Sequence, residues 1–462
     1  MKILHVGNVA MNAYNNAKFL RRRGIEADVL VCDYTHIMGQ PEWEDAFFDE
    51  QMIDGPWNSC WEKINLHGFQ RPEWFIEYSS GLPQETKFPS NLYWLIKNYL
   101  WSILHLREGF HIKKTIDKYS KSSIFLEGKK GHMISSSIKM FGSYLKAIKS
   151  FQKNYFHICF LKSLIGKYDI IQAYGLEPIN VFLTDTKKPL VSFEHGTMRN
   201  IPLENSVKGH LLAIAYHGSK KCIITNPDGK ITADKIGLKN YVFIPHPVDT
   251  EKFIPRQTPL RKKIIDGTGA ELIFFAPARH DWGIKGTNKI IEGFFKYLKR
   301  SPKRTILIFS DWGEGVKRSK DYIKNLGIEE FVIWTSPLPK IKLAEYYNAS
   351  DLVLDQFSFG VFGTTPPEAM ACAKPVITRF DWEINKWAWP EKPPIISAES
   401  SQEIFEAMKL LGRDENLRQE LGKRGRIWME KYHSWELVAD KQIAIYKEIL
   451  EIDFKLKSGL LE

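Results

Sequence analysis

Apolar residues fall into short runs spaced by amphipathic stretches along most of the chain. Residues 3–6 form one such run and residues 7–12 a glycine-bearing loop. Residues 13–23 then carry the spacing of a helix, which Gly24 ends as a C′ residue. Residues 27–31 are the next apolar run. A strand, a helix and a strand on short links predict a parallel pair with a right-handed crossover, hence α/β layers. Further strands are predicted at 169–173, 190–193, 222–225 and 242–245, followed by a turn-rich charged link from His246 to about Arg261. The pattern then restarts, with strands at 272–275, 305–309, 332–334, 352–354 and 375–377, a helix at 288–300, and a helical tail from about residue 401.

Two stretches break this alternation. Residues 33–89 are rich in Trp, Pro and acids and show little periodicity, so no element is predicted there. Residues 91–167 are largely helical, aromatic and basic. The chain has 462 residues, and single hydrophobic cores stop growing at roughly 250–300 residues. Two α/β domains in tandem follow. Ligands of such sheets bind outside the carboxyl ends of the strands, so the loops after those strands are where chemistry is expected.

Composition narrows the class. Apolar residues make up 44% and charged residues 26%, which excludes wholesale disorder. The five cysteines (Cys32, Cys60, Cys159, Cys222 and Cys372) are scattered, which argues against a disulfide framework or a structural zinc site and fits a reducing compartment. Met1 to Val6 runs into a strand without the regions of a signal peptide, and no apolar stretch is long enough to span a bilayer. A cytoplasmic protein is expected, with a membrane surface still open as a partner. The charge decides more. Lys and Arg number 65 against 54 acids, a balance of +11, and residues 91–167 alone hold 14 cations against Glu108, Asp117 and Glu127. The remainder of the chain is therefore neutral. One basic segment is a local attraction for something anionic.

Candidate chemistry sits in the loops after predicted strands. Arg279 and Lys285 lie in Ala276-Pro277-Ala278-Arg279-His280-Asp281-Trp282-Gly283-Ile284-Lys285-Gly286. Two fixed cations there suit a pyrophosphate, or else are solvated surface charges. Gly360-Val361-Phe362-Gly363-Thr364-Thr365-Pro366-Pro367-Glu368 runs into a helix with Thr365 as the expected N-cap and Pro366 at the first helical position, an arrangement whose free N–H groups bind anions. Glu368 has two readings: a capping-box partner of Thr365, or an acceptor of hydrogen bonds from a ligand diol. His195, in Phe193-Glu194-His195-Gly196-Thr197, either approaches a ligand or is a satisfied core histidine. Residues 7–12 lack a dinucleotide fingerprint, and no Walker A sequence or acidic pair at metal spacing occurs.

With these residues assembled, the chain resembles a GT-B glycosyltransferase of the large retaining group often called family 4, most strongly from about residue 223 to 378. Phe243-Ile244-Pro245-His246-Pro247-Val248-Asp249 is similar to the family's link before its second domain. Arg279 with Lys285-Gly286, Asp311-Trp312-Gly313-Glu314-Gly315, Tyr346 to Asp351, and Glu368-Ala369-Met370-Ala371-Cys372-Ala373-Lys374-Pro375 follow in the family's order. The resemblance implies two Rossmann-like domains facing each other across a cleft. An acceptor-side domain would span 1–250 with an insert at about 84–167, a donor domain 251–435, and a helix 436–462 would pack back on the first domain. It further implies that Glu368 meets the nucleotide ribose and that Arg279 and Lys285 hold the donor phosphates. Gly313, Gly360, Phe362, Gly363 and Thr364 would line the donor, His195 the transferred sugar, and Gly7 to Asn12 would face the donor. The family's first glutamate would fall at Gly360, where this sequence has no side chain, and Asp355 is a nearby substitute. Transfer with retention follows, using a nucleotide-diphosphate sugar as donor, with no metal and no cofactor.

The basic segment, in this scheme, bears on the acceptor or on a membrane. Lys113, Lys114, Lys129 and Lys130 among aromatic residues suit an anionic bilayer face, and the expected acceptor is a glycan or a polyprenyl-linked saccharide in cell-surface polysaccharide or glycolipid synthesis. A solvated basic helix face is the plainer alternative. Two other functions remain open, a nucleotide-sugar 2-epimerase and a non-catalytic nucleotide-sugar-binding protein. Nucleic acid is not an expected partner, for want of a recognition motif.

Overall fold

A computed structural model describes residues 1–32, 36–48, 61–78, 155–204 and 206–457. It contains two compact units, one made of Met1–Tyr34, Pro72–Ile244 and Ala439–Glu462, the other of Thr35–Arg71 and Pro245–Val438.

In the first unit, strands β1 (Lys2–Val6), β2 (Glu26–Cys32), β3 (Phe75–Tyr78), β4 (Ile170–Tyr174), β5 (Leu190–Phe193), β6 (Lys221–Ile224) and β7 (Tyr241–Phe243) form one sheet in the order β3-β2-β1-β4-β5-β6-β7. Every pairing is parallel. The second unit repeats the design with β8 (Leu272–Ala276), β9 (Thr305–Ser310), β10 (Val332–Thr335), β11 (Leu352–Leu354), β12 (Val376–Thr378) and β13 (Ile396–Ser397) in the order β10-β9-β8-β11-β12-β13, again all parallel. Both orders follow the doubly wound scheme, in which the direction of winding reverses beside the first strand. That reversal lies between β1 and β4 in one sheet and between β8 and β11 in the other.

Burial on both faces explains why the central strands are legible as continuous apolar runs. All of Leu272–Ala276 and Thr305–Ser310 are buried. The strand Phe75–Tyr78, inside the stretch that had no predicted element, is an edge strand with one fully buried residue, so it carries almost no period. The first helix spans Asn12–Arg22 and Gly24 closes it with a φ of +76°. The tail continues as helices Ser401–Arg413, Glu415–His433 and Trp435–Lys457. The link expected to reach Arg261 is shorter, because Thr258 caps a helix that begins at Pro259.

The two faces of the first sheet differ in kind. Leu4, Val6, Ile171 and Ala173 face an apolar cluster with Ile158, Leu161, Val181 and Ile214. The alternate residues His5, Gln172 and Tyr174 face a buried polar network. The Tyr174 hydroxyl accepts from Gln172 Nε2 at 2.7 Å and Asn16 Nδ2 at 3.0 Å, which leaves its own hydrogen for His5 Nδ1 at 2.7 Å. Burial holds the His5 pKa near 3, so that ring is the neutral acceptor the geometry requires. Residues of the tail join in: Gln442 accepts from Gln172 Nε2 at 3.0 Å and donates to Asn16 Oδ1 at 3.0 Å, and the Tyr446 hydroxyl donates to Gln172 Oε1 at 2.7 Å.

Glycines of the second unit mark close approaches. An added Cβ at Gly422 would lie 2.1 Å from the Ala373 carbonyl oxygen, whereas nothing lies within 4 Å of one at Gly267, inside the helix Pro259–Thr268. Gly422→Ala is therefore expected to cost ~1–3 kcal/mol by overpacking. Gly267→Ala is expected to be neutral or to add about 0.4–1 kcal/mol through the unfolded chain. Urea unfolding midpoints of the two variants check both signs.

Candidate active site

The second unit collects most of the candidate residues in the loops on either side of its winding reversal. After β8, the Asp281 side chain accepts from Gly283 N at 3.0 Å and Ile284 N at 2.8 Å, turning the chain so that Lys285 points back. Lys285 Nζ donates to Gln356 Oε1 at 2.9 Å, and Phe357 N donates to the Lys285 carbonyl at 2.9 Å. The loop after β8 is thus tied to the loop after β11 by a side chain and a backbone bond. Arg279 stays exposed, with its guanidinium 3.4 Å from Asp281 Oδ2. Gly313 has a φ of +103°, and a Cβ there would fall 2.6 Å from the His280 carbonyl oxygen, so only glycine lets the turn after β9 close on the Arg279 loop. His280 itself is buried between Phe309 and Trp334, and burial lowers its pKa to about 4. It is a core histidine.

The loop after β11 leads to Glu368. The N-cap of the helix Thr365–Ala371 is Thr364, not Thr365, and no side chain caps it. Pro366 and Pro367 remove two N–H groups from the first turn, so the anion site expected there reduces to Gly363, Thr364 and Thr365. The Phe362 ring is buried against Phe380, Trp389 and Trp428, which pins the loop and leaves only its backbone for a ligand. A side chain at Gly360 would put its Cβ 2.7 Å from Asp381 Cβ, and the Gly360 carbonyl already accepts from Asp381 N and Asn385 Nδ2. Residues 381–385 thus fill the space a glutamate at 360 would need. Asp355 is buried, and an ideal Cβ on Gly363 would stand 3.6 Å from its Oδ2 and 3.9 Å from Lys285 Nζ, which puts the three residues around one point. Burial raises the Asp355 pKa and Lys285 opposes the rise.

The reading of Glu368 as a capping-box partner does not hold, because its carboxylate is engaged elsewhere. Glu368 Oε1 accepts from Lys340 Nζ and Oε2 from the Tyr347 hydroxyl at 3.2 Å. Burial raises the Glu368 pKa, Lys340 lowers it, and Glu44 raises it again. Glu44 comes from the helix Pro41–Asp45, in the stretch without predicted elements, and Lys252 Nζ reaches Glu44 Oε1 at 2.7 Å and Asp45 Oδ1 at 2.9 Å. Burial works to lower the Lys252 pKa, but Glu44, Asp45 and Asp249 outweigh it and raise it. Lys340, Tyr347, Glu44, Lys252 and Gln356 all escaped the sequence reasoning. Their contacts cross 21 to 208 residues of chain, and no local pattern announces such partners.

The first unit holds the remaining candidates. Asn12 Nδ2 donates to the Val9 carbonyl at 2.7 Å, which fixes the orientation of the amide, and its other hydrogen meets His195 Nδ1 at 3.0 Å. Asn12 and His195, two separate sequence candidates, therefore meet. Burial, with help from Arg199, lowers the His195 pKa to about 4, leaving a neutral ring with its hydrogen on Nε2. The preceding Glu194 is fully buried and accepts from the backbone N–H groups of Gly196, Thr225 and Asn226, anchoring the loop. Gly7 has a φ of +83°, and a Cβ there would meet Glu177 Cγ at 2.7 Å. Lys113, Lys114, Lys129 and Lys130 lie outside the described residues. Among the described residues no group of three His, Cys, Asp or Glu side chains is placed to hold a metal ion.

Asn12→Asp would replace a neutral donor to His195 by an anion. The His195 midpoint should then rise from about 4 toward or above its ordinary 6.5. The wild-type ring takes up its proton only well below pH 6, whereas the variant ring would titrate near neutrality. Imidazole nitrogen shifts followed by NMR across pH 4 to 8 read the change directly.

Residues 258–428 match the family described as glycosyl transferases group 1. A D-inositol 3-phosphate glycosyltransferase of Kribbella flavida is 21% identical over 213 residues, 44% of this chain and 50% of that protein, so the chain spans about half the length of this relative. Among solved structures, Anabaena HepE in complex with UDP and glucose superposes with a TM-score of 0.60 at 14% identity, covering 96% of this chain and 98% of that one. The sucrose-phosphate synthase of Thermosynechococcus elongatus does so with a TM-score of 0.60 at 13% identity, covering 98% and 100%. The chain has the GT-B fold, and residues 258–428, within its second unit, are similar to the glycosyl transferases group 1 domain.

Proposed function

We propose that this protein is a retaining glycosyltransferase that moves a sugar from a nucleoside-diphosphate sugar to a hydroxyl of an acceptor. The observation that carries the reading is the joining of two strand-end loops by Lys285, beside Asp355 and Gly363, within a domain of the matched family. An ammonium fixed by Gln356, with the Arg279 guanidinium on the same loop, suits the charge that grows on a departing diphosphate. Glu368 takes the ribose diol of the nucleotide, and the backbone N–H groups of Phe362, Gly363 and Thr364 serve the phosphates and sugar. His195, neutral and hydrogen-bonded to Asn12, presents an uncharged N–H to the sugar, with Gly7 leaving the loop after β1 narrow. The bond between the anomeric carbon and the diphosphate oxygen breaks, the acceptor oxygen bonds to the carbon on the same face, and the acceptor's hydroxyl proton passes to the departing diphosphate oxygen. Uridine is the nucleoside to test first, since HepE is described with UDP.

The acceptor, in this reading, is a glycan or a lipid-linked saccharide at an anionic membrane surface. The support is the surplus of cations among aromatic residues in 91–167. Among the described residues no helix is long and apolar enough to cross a membrane.

Thermal shift with UDP, GDP and ADP and their common sugars tests the donor site, because a ligand of the folded state raises the melting temperature by mass action. Arg279→Ala or Lys285→Ala is expected to lower turnover by about 10²–10³-fold, the cost of one lost oxyanion donor at ~2.7–4 kcal/mol. Full transfer activity in the double variant would remove both residues from the mechanism. Altered sugar released from donor alone, without an acceptor, would identify an epimerase instead. Replacing Lys113, Lys114, Lys129 and Lys130 by glutamine should reduce co-sedimentation with anionic vesicles, since each cation near such a surface adds about 1 kcal/mol. Unchanged sedimentation would refute the membrane role.

A further inference from the structure

Lys340 stands where a lysine is costly. It is the first residue of the helix Lys340–Ala349, at the positive end of the helix dipole, and its side chain is only 12% exposed. Desolvation and the dipole both disfavour a cation there, so a specific partner must offset them. That partner is Glu368 Oε1, while Tyr347, two turns further along the same helix, donates to Oε2 at 3.2 Å. One helix face therefore holds both oxygens of one carboxylate. An ionised carboxylate offers about four lone-pair positions, of which these contacts use one on each oxygen. One position per oxygen stays available, an arrangement matched to two adjacent hydroxyls.

Resting on the assignment of Glu368 to the nucleotide ribose, we infer that Lys340 is a positioning residue for the nucleotide: it keeps the Glu368 carboxylate ionised and oriented so that its remaining lone pairs receive the ribose diol. The surroundings make such a residue necessary. Glu44 adds a like charge from the helix Pro41–Asp45, and Lys252 is already engaged with Glu44 and Asp45. Cys372, the C-cap of Glu368's helix, is a buried thiol pushed up to about 12 and so contributes no charge near neutrality. Arg426, on the packed helix Glu415–His433, donates to the Ala371 and Phe253 carbonyls. Tyr347 is itself held neutral by burial. Among these described neighbours Lys340 is the cation in contact with the carboxylate. Without it, burial and Glu44 would drive Glu368 to take up a proton, and the protonated acid would lose acceptor capacity toward the diol.

The test is a double-mutant cycle on UDP binding by calorimetry, with GDP and ADP in parallel, using the full chain. Lys340→Met should weaken UDP tenfold or more at pH 7, and Lys340→Arg should restore part of the loss. Lys340→Met placed on Glu368→Gln should cost nothing further, because the neutral amide has no charge left to hold. Relative to wild type, whose profile already includes the titration of the nucleotide's own terminal phosphate, Lys340→Met should lose additional affinity as the pH falls. Additive losses in the cycle, or a Lys340→Met protein with wild-type affinity and pH profile, would overturn the inference. If Lys340→Met does not fold, the neutral pair Lys340→Met/Glu368→Gln decides against Glu368→Gln alone: equal affinities support the inference and a further loss overturns it. A wild-type protein that binds none of the three nucleotides refutes the glycosyltransferase reading itself.

Discussion

A parallel strand can follow its neighbour only by a crossover over one face of the sheet, and the crossover has a fixed hand. Everything else in this protein depends on that constraint. Winding outward from β1 and then from β4, and again from β8 and from β11, separates the covering helices at the reversal and leaves the loops there free of an overlying element. In the second unit those are the loops of Lys285 and of Asp355 to Gly363. The side-chain bond from Lys285 to Gln356, 71 residues along the chain, and the backbone bond from Phe357 to Lys285 then link the two segments. The chemistry assigned to the site is thus a consequence of topology before it is a consequence of residue type.

The second constraint is charge in a dry interior. Around Glu368 the structure sets two cations, Lys340 and Lys252, among the carboxylates of Glu368, Glu44 and Asp45. Removing one member of such a group leaves an uncompensated buried charge, which is far more damaging than removing a matched pair. The grouping also explains why the short helix Pro41–Asp45 belongs with the second unit although it comes early in the chain. Glu44 and Asp45 hold Lys252, and Trp43 and Ala46, on either side of them in the sequence, join a small apolar cluster with Ile37 and Phe48.

Gly360 illustrates how a departure from a family pattern acquires a physical cause. The resemblance put a missing glutamate there. The structure puts Asp381 and Asn385 against that position, bonded to the Gly360 carbonyl, so a side chain is excluded by packing. The buried Asp355 stands by Gly363 instead. Glu368 shows the reverse case: the Thr-x-x-Glu spacing favoured a local cap, and a lysine and a tyrosine from another helix captured the carboxylate.

The sequence by itself determined what depends on near neighbours. Strands buried on both faces showed as apolar runs, and Gly24 ended a helix at a positive φ. Loops after strands stood out by their glycines and cations, which made Arg279, Lys285, His195 and Glu368 candidates, while Asn12 entered through the family resemblance. Tertiary structure alone decided what depends on partners far along the chain. It paired Asn12 with His195, tied Gln442 and Tyr446 of the tail to Gln172, and engaged Glu368 with Lys340 and Tyr347. An edge strand such as Phe75–Tyr78 left no period to read, because it has four residues and only one of them is buried. Hydrophobic periodicity records which face of an element is buried. It does not record which side chain waits across the gap, and a buried charge takes its meaning from that partner.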